Sequence, residues 1–229
     1  MENTVFQGLV MPSEPARELL VSLALTVYVL VIVYMGKVLY SSIRKRGEPH
    51  NVAVYYVRKY IHMAAGGVVA LLVPALFSSP LLPTIMSFML GGFLYFVRKY
   101  RSPMRWFQTE DNMYEVNFTI GWGASLAVLW ILTGDPWLSV LPALFISFGD
   151  AITGIVRNAV FKRRTKHYLG NIAMGAVVLP IGYIYAGPVG LASATVATIA
   201  ERFESNPIDD NILIAVSSAL TIILLSLFL

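Results

Sequence analysis

Eight apolar runs follow one another along the chain, separated by short polar connections. A helix needs ~20 apolar residues to cross a bilayer core, and most of the runs approach that length. They fall at Leu19–Met35, Ile61–Phe77, Pro80–Val97, Val116–Thr133, Asp135 to about Val156, Leu169–Ala186, Pro188–Phe203 and Ile212–Leu229. Asp135-Pro136 has the pattern of a capping residue followed by proline at the first helical position. The seventh run is short and rich in Ala, Ser and Thr, which predicts a helix packed between others rather than facing lipid. The fold expected is an all-α, polytopic membrane bundle of about eight transmembrane helices, with seven as the alternative. Some 70 residues remain for connections, too few for a second soluble domain with its own core, so 1–229 reads as a single domain. The N-terminus has acids before its first apolar run and no small-residue cleavage site, so it reads as an anchor.

Composition sharpens this picture. Of 229 residues, 57% are hydrophobic and 13% charged, about half the charged share of a soluble domain. Nucleic-acid binding, disorder and a secreted disulfide scaffold are poor readings. The absence of Cys removes thiolate metal sites and Cys nucleophiles. With eight spans, the connections 36–60, 98–115, 157–168 and 201–211 share one side of the membrane and carry every Lys and Arg except Arg17. Lys and Arg stay cytoplasmic, so both termini are expected outside. Nine of the 13 acids gather on the same side. Acids contribute little to topology, and their presence beside cations suits a metal-nucleotide ligand.

Asp150 carries the most information. It lies inside the fifth run, where an ionisable group is costly and is a functional hypothesis by default. Its alternative is structural pairing with an Arg of another helix. Ser147, Asp150, Thr153, Gly154 and Arg157 form one polar stripe at helical spacing, and Gly154 leaves room for a close neighbour. The loop beyond holds Arg157, Lys162, Arg163, Arg164 and Lys166, candidates to neutralise phosphate or to serve only topology. Gly170-Asn171 opens the next helix, whose N-terminal N–H groups suit phosphate oxygens. Glu201, Glu204, Asp209, Asp210 and Asn211 supply oxygen donors for a hard cation, with helix capping the competing role for any one of them. Arg58 and His62 share a helix face, with Lys59 beside them; Glu115 and Asn117 enter the fourth run.

In order and spacing these residues resemble the polyprenol kinase group, which includes dolichol kinase, phytol kinase and CTP-dependent diacylglycerol kinase. Arg58-Lys59-Tyr60-Ile61-His62 resembles its R-K-x-x-H, Gly149-Asp150-Ala151 its G-D-A, and Lys166 to Asn171 its K-T/S-x-E-G-S. Glu201 with Ile208-Asp209-Asp210-Asn211 resembles its E…I-D-D-N. Leu169 stands where the family has Glu, and Asn171 where it has a small residue. The likeness covers residues 56–229 as a core, with 1–55 an added anchor helix and basic loop. It implies a membrane kinase moving the γ-phosphate of CTP, with Mg²⁺ or another divalent cation, onto a lipid alcohol at the cytoplasmic face. On that reading Asp150, Lys166 and His62 are catalytic. Arg157, Lys162, Arg163, Arg164, Gly170, Asn171, Arg58 and Lys59 hold nucleotide and phosphate. Asp150, Glu201, Asp209, Asp210 and Asn211 hold metal. The partners are the membrane, CTP and the lipid alcohol, with no nucleic acid.

A CTP:phosphatidate cytidylyltransferase is the nearest rival, because it also presents acids and cations to CTP at a membrane face. A transporter would place paired ionisable groups near the midplane, often in repeated halves. A non-enzymatic membrane protein would leave Asp150 without a purpose.

Overall fold

The computed structural model describes residues 10–110, 112–163, 165–204 and 208–227. Arg164, Asp111 and the Asn206-Pro207 helix break therefore lie outside the described residues. Among the described residues seven helices build the bundle: α1 (Pro15–Lys45), α2 (His50–Leu76), α3 (Leu81–Tyr100), α4 (Tyr114–Thr133), α5 (Pro136–Phe161), α6 (Tyr168–Ala200) and α7 (Asp210–Ser226). The first six are long and apolar enough to cross a membrane, counting α6 through Phe203, and α7 is a shorter apolar helix. The all-α membrane bundle expected from the apolar runs is the fold observed.

The expected sixth and seventh runs are two arms of α6. Its backbone breaks at Ala186 and at Gly187, where φ is +53°, a conformation open to glycine and costly for other residues. Pro188 then restarts the helix, as proline does at a first helical position. The arms run back along each other. A Cβ on Gly182 would sit inside the backbone of Gly190, and the reverse also holds, so the two glycines permit backbone contact. The second arm buries only its small-residue face, Gly190, Ser193, Ala194 and Ala197; Leu191, Val196 and Ile199 are exposed. The seventh span, expected to pack between others rather than face lipid, thus packs on one face and leaves the other exposed. The central helix is α5, whose apolar window is 78% buried against 17–50% in the other long helices.

The start of α2 also differs from the apolar reading. The helix begins at His50 rather than near Ile61, because its first three turns bury Val52, Ala53, Val54 and Val57 together with Arg58 and Lys59. A run with two buried cations does not read as apolar, but here the cations face the interior.

Two π-helical turns locate the site. One runs from His62 to Gly67 in α2, the other from Phe145 to Gly149 in α5, and they touch. Such turns widen a helix, release carbonyls from the regular ladder and often mark functional positions. Here side chains on neighbouring helices satisfy the carbonyls: Tyr28 Oη donates to Ala64 O at 2.6 Å and Trp122 Nε1 to Gly66 O at 3.2 Å. Inside a bilayer an unsatisfied carbonyl would be costly. The first turn begins at His62, and the second ends one residue before Asp150.

Candidate functional site

Asp150 is buried, and its partner is a lysine rather than an arginine. Lys59 Nζ donates to Asp150 Oδ2 at 2.5 Å. The Nδ1 of His62 lies 3.3 Å from the same oxygen but is too poorly aligned to donate, and it has no other partner among the described residues. Phe118 stacks on the His62 ring with centroids 4.1 Å apart, which fixes the ring plane. Gly154 is needed for the pair: a Cβ there would overlap Lys59 Cε and crowd Tyr55 Oη. The close approach expected at Gly154 is therefore made by these side chains. Asp150 and Arg157 share a face of α5 about 10 Å apart, two turns at 1.5 Å per residue.

Around Arg157 lies a second buried cluster. Its guanidinium grips Glu201 with two bonds, Nη1 to Oε1 at 2.7 Å and Nη2 to Oε2 at 3.0 Å. Its Nε donates to His167 O and its Nη2 also to Asn171 Oδ1. Asn171 Nδ2 completes the network on Glu201 Oε2. A Cβ on Gly170 would collide with the guanidinium. Arg157, Gly170 and Asn171 therefore form one structural unit at the start of α6, in place of an open cradle for phosphate. Asn171, which departs from the family pattern, is the residue that links both partners of the ion pair.

Lys166 Nζ sits among three carboxylates: Glu201 Oε1 at 2.7 Å, Glu204 Oε2 at 3.0 Å and Asp210 Oδ2 at 3.3 Å. Burial opposes its charge, but Asp210 and Glu201, then Glu204, outweigh that and raise its pKa above the ordinary lysine value. Asp209 caps α7, accepting from Ile212 N at 3.2 Å, while Asn117 and Asn211 donate to its other oxygen. Burial, then the neighbouring Asp210 charge, push the Asp209 pKa up to about 6. Among the described residues no three His, Asp or Glu stand together as a metal site. Lys162 is exposed and paired with Glu48 at 2.8 Å.

Two cavities flank the Asp150 centre. The first is apolar, about 150 Å³, and lined by α1, α2, α3 and α4. At its charged-loop end stand Arg58, His62 and Glu115, each nine-tenths buried or more. Arg58 Nε, His62 Nδ1 and Glu115 Oε2 have no hydrogen-bond partner among the described residues. The second cavity, about 530 Å³, opens on the charged end between the start of α2, the 101–113 connection and the end of α5. Arg58, Arg105 and Arg163 line it, with Asn51, Gln108, Tyr55, Tyr114 and Asn158. Asn158 Nδ2 is buried and unpartnered among the described residues. Arg58 lines both cavities, its guanidinium 4.0 Å above the Tyr114 ring.

The sequence-predicted residues thus divide. Arg58, Lys59, His62 and Asp150 come together. Lys166, Glu201 and Asp210 gather beside Arg157, and Asp210 acts electrostatically on Lys59 and Tyr55 across the gap. Arg163 faces the polar cavity, Asp209 and Asn211 organise the start of α7, and Lys162 stands apart. Tyr55, Arg105, Gln108 and Asn158 carry no local motif; their sequence signal is their position in the charged connections and helix ends. Compared with known proteins, the chain matches no family model, no curated protein and no solved structure.

Proposed function

We propose that this protein is a membrane phosphotransferase that moves the γ-phosphate of CTP onto an isoprenoid alcohol, as its resemblance to the polyprenol kinases implies. The observation that carries the reading is Arg58, shared by an apolar cavity fit for a lipid chain and a cation-lined cavity fit for a triphosphate. Phosphoryl transfer asks for positioning and charge neutralisation more than for a nucleophilic side chain, and this junction offers both. The alcohol lies in the apolar cavity with its hydroxyl at His62. His62, its ring held by the Phe118 stack, accepts the hydroxyl proton, and the nearby Asp150 carboxylate balances the charge that develops on it. Lys59 keeps Asp150 ionised and in place. Arg58, Arg105 and Arg163 neutralise the phosphates, and their cytoplasmic placement follows from the positive-inside rule.

A divalent cation would draw on the carboxylates of Glu201, Glu204 and Asp210 that Lys166 now holds, and would neutralise phosphate charge there in place of the lysine. Base preference for cytosine rests on the family likeness, with Asn51 and Asn158 the free-standing amides of the polar cavity that would read a base edge.

The test uses purified protein, Mg²⁺, prenols and phosphatidic acid, with CTP labelled at the α- or the γ-phosphate. A kinase moves γ-label into lipid and releases CDP. Lipid-borne α-label with pyrophosphate release would replace this reading with the cytidylyltransferase. No transfer and no stabilisation by Mg·CTP would sink both.

A further inference from the structure

The apolar cavity is a long, half-open groove with Phe77 among the residues at its far end. It runs from Arg58 to Val69 along α2, from Val33 to Ser22 along α1 and from Leu94 to Pro83 along α3. Each path is eleven residues, or ~16 Å at 1.5 Å per residue. The groove is open along one side, where its lining residue Leu30 is exposed. Phe77, itself buried, lines the far end.

Beyond Phe77 the end is clasped. Glu18, in the first turn of α1, is 1% exposed and accepts from Ser78 N at 3.0 Å and Ser78 Oγ at 2.6 Å. Ser13 N donates to the same Ser78 hydroxyl, and Ser22 Oγ to Glu18 O. A carboxylate buried at this end, ~16 Å from the phosphate-facing groups, has no part in phosphoryl transfer. Its hydrogen bonds fasten α1, otherwise mostly exposed, across the α2–α3 turn.

We infer that the Glu18–Ser78 clasp and Phe77 form a chain-length stop, which favours prenols of about three isoprene units, at roughly 1.25 Å of rise for each carbon–carbon bond of about 1.52 Å. The inference rests on the proposed lipid-alcohol reading and deepens it. A longer polyprenol has to leave its tail outside the stop.

Full-length protein in detergent is given geraniol, farnesol, geranylgeraniol and an undecaprenol. Two readouts are taken, the rise in melting temperature on binding and kcat/KM for phosphate transfer. In the wild type both increase to farnesol, then fall, about tenfold by undecaprenol. Phe77→Ala and, separately, Glu18→Gln bring undecaprenol to within about threefold of farnesol; Glu18→Gln carries the test if the alanine variant fails to fold. Equal use of undecaprenol by the wild type, or an unchanged ranking in both folded variants, overturns the stop. The stabilisation ranking without any phosphate transfer would leave the stop standing and remove the kinase.

Discussion

Lys59 of α2 and Asp150 of α5 meet 2.5 Å apart, with side chains only 3% and 2% exposed. Neither charge is tolerable alone in that position, so each residue is the condition for the other. The pair is joined by His62 on one side and bordered by Gly154 on the other, and it stands where the two π-helical turns bring α2 and α5 into contact.

Removing one member of a buried pair strands the other charge, at a cost of ~3–5 kcal/mol, whereas replacing both by apolar groups is often close to neutral. Asp150→Asn and Lys59→Met should each lower the melting temperature in detergent markedly, and Asp150→Leu combined with Lys59→Met should restore most of it. Phosphate transfer should fall ~10²–10⁴-fold in all three. Stability and activity then separate in the double variant. A stable double variant with near-normal turnover would reduce the pair to scaffolding and move the reaction centre elsewhere.

Asp209 sets a pH dependence with a definite sign. Its pKa rises from the ordinary 3.8 to about 6 in the fold, through burial and then the Asp210 charge. Between those values the folded chain keeps a proton that the unfolded chain has lost. The stability this confers is full below about pH 4, declines as pH rises and is gone above about pH 6, a change on the order of 1–3 kcal/mol. The melting temperature measured from pH 4 to pH 7 should therefore carry a downward component centred at about pH 5, midway between 3.8 and about 6. Asp209→Asn, which cannot ionise, should lack it. An identical pH profile in wild type and variant would reassign the dependence to other groups.

Much of the bundle could be read from apolar length alone, since span length is set by bilayer thickness. Asp150 was legible for a similar reason: a lone acid in an apolar run has few innocent explanations. Its partner was not, because Lys59 lies 91 residues away and reads locally as one more positive-inside residue. The same limit hid the fate of Arg157 and Lys166, which pattern alone assigns to phosphate and which the fold pairs with Glu201. Both cavities depend on side chains from several helices, and Asn158 or Arg105 has no local signature to reveal its role. The α6 hairpin was visible as two runs because Gly187 and Pro188 break periodicity, although which face of the second arm is buried depends on its packing.

Gly154 offers a test of geometry with every charge left in place. Glycine to alanine inside a helix is ordinarily favourable by ~1 kcal/mol, and Gly92, with nothing within 4 Å of its would-be Cβ, is the matched control. At Gly154 the new methyl would overlap Lys59 Cε and crowd Tyr55, so the lysine has to withdraw from Asp150. A displacement of about 1 Å from a catalytic geometry can cost ~10²-fold in rate. Gly154→Ala should therefore lose on the order of 10–100-fold in turnover, while Gly92→Ala keeps wild-type turnover and an equal or higher melting temperature. The loss should fall on kcat with the KM for the alcohol unchanged, because neither Lys59 nor Tyr55 lines the apolar cavity. Wild-type turnover in a folded Gly154→Ala protein would show that the Lys59–Asp150 distance does not govern the reaction, and the role given to that pair would have to be withdrawn.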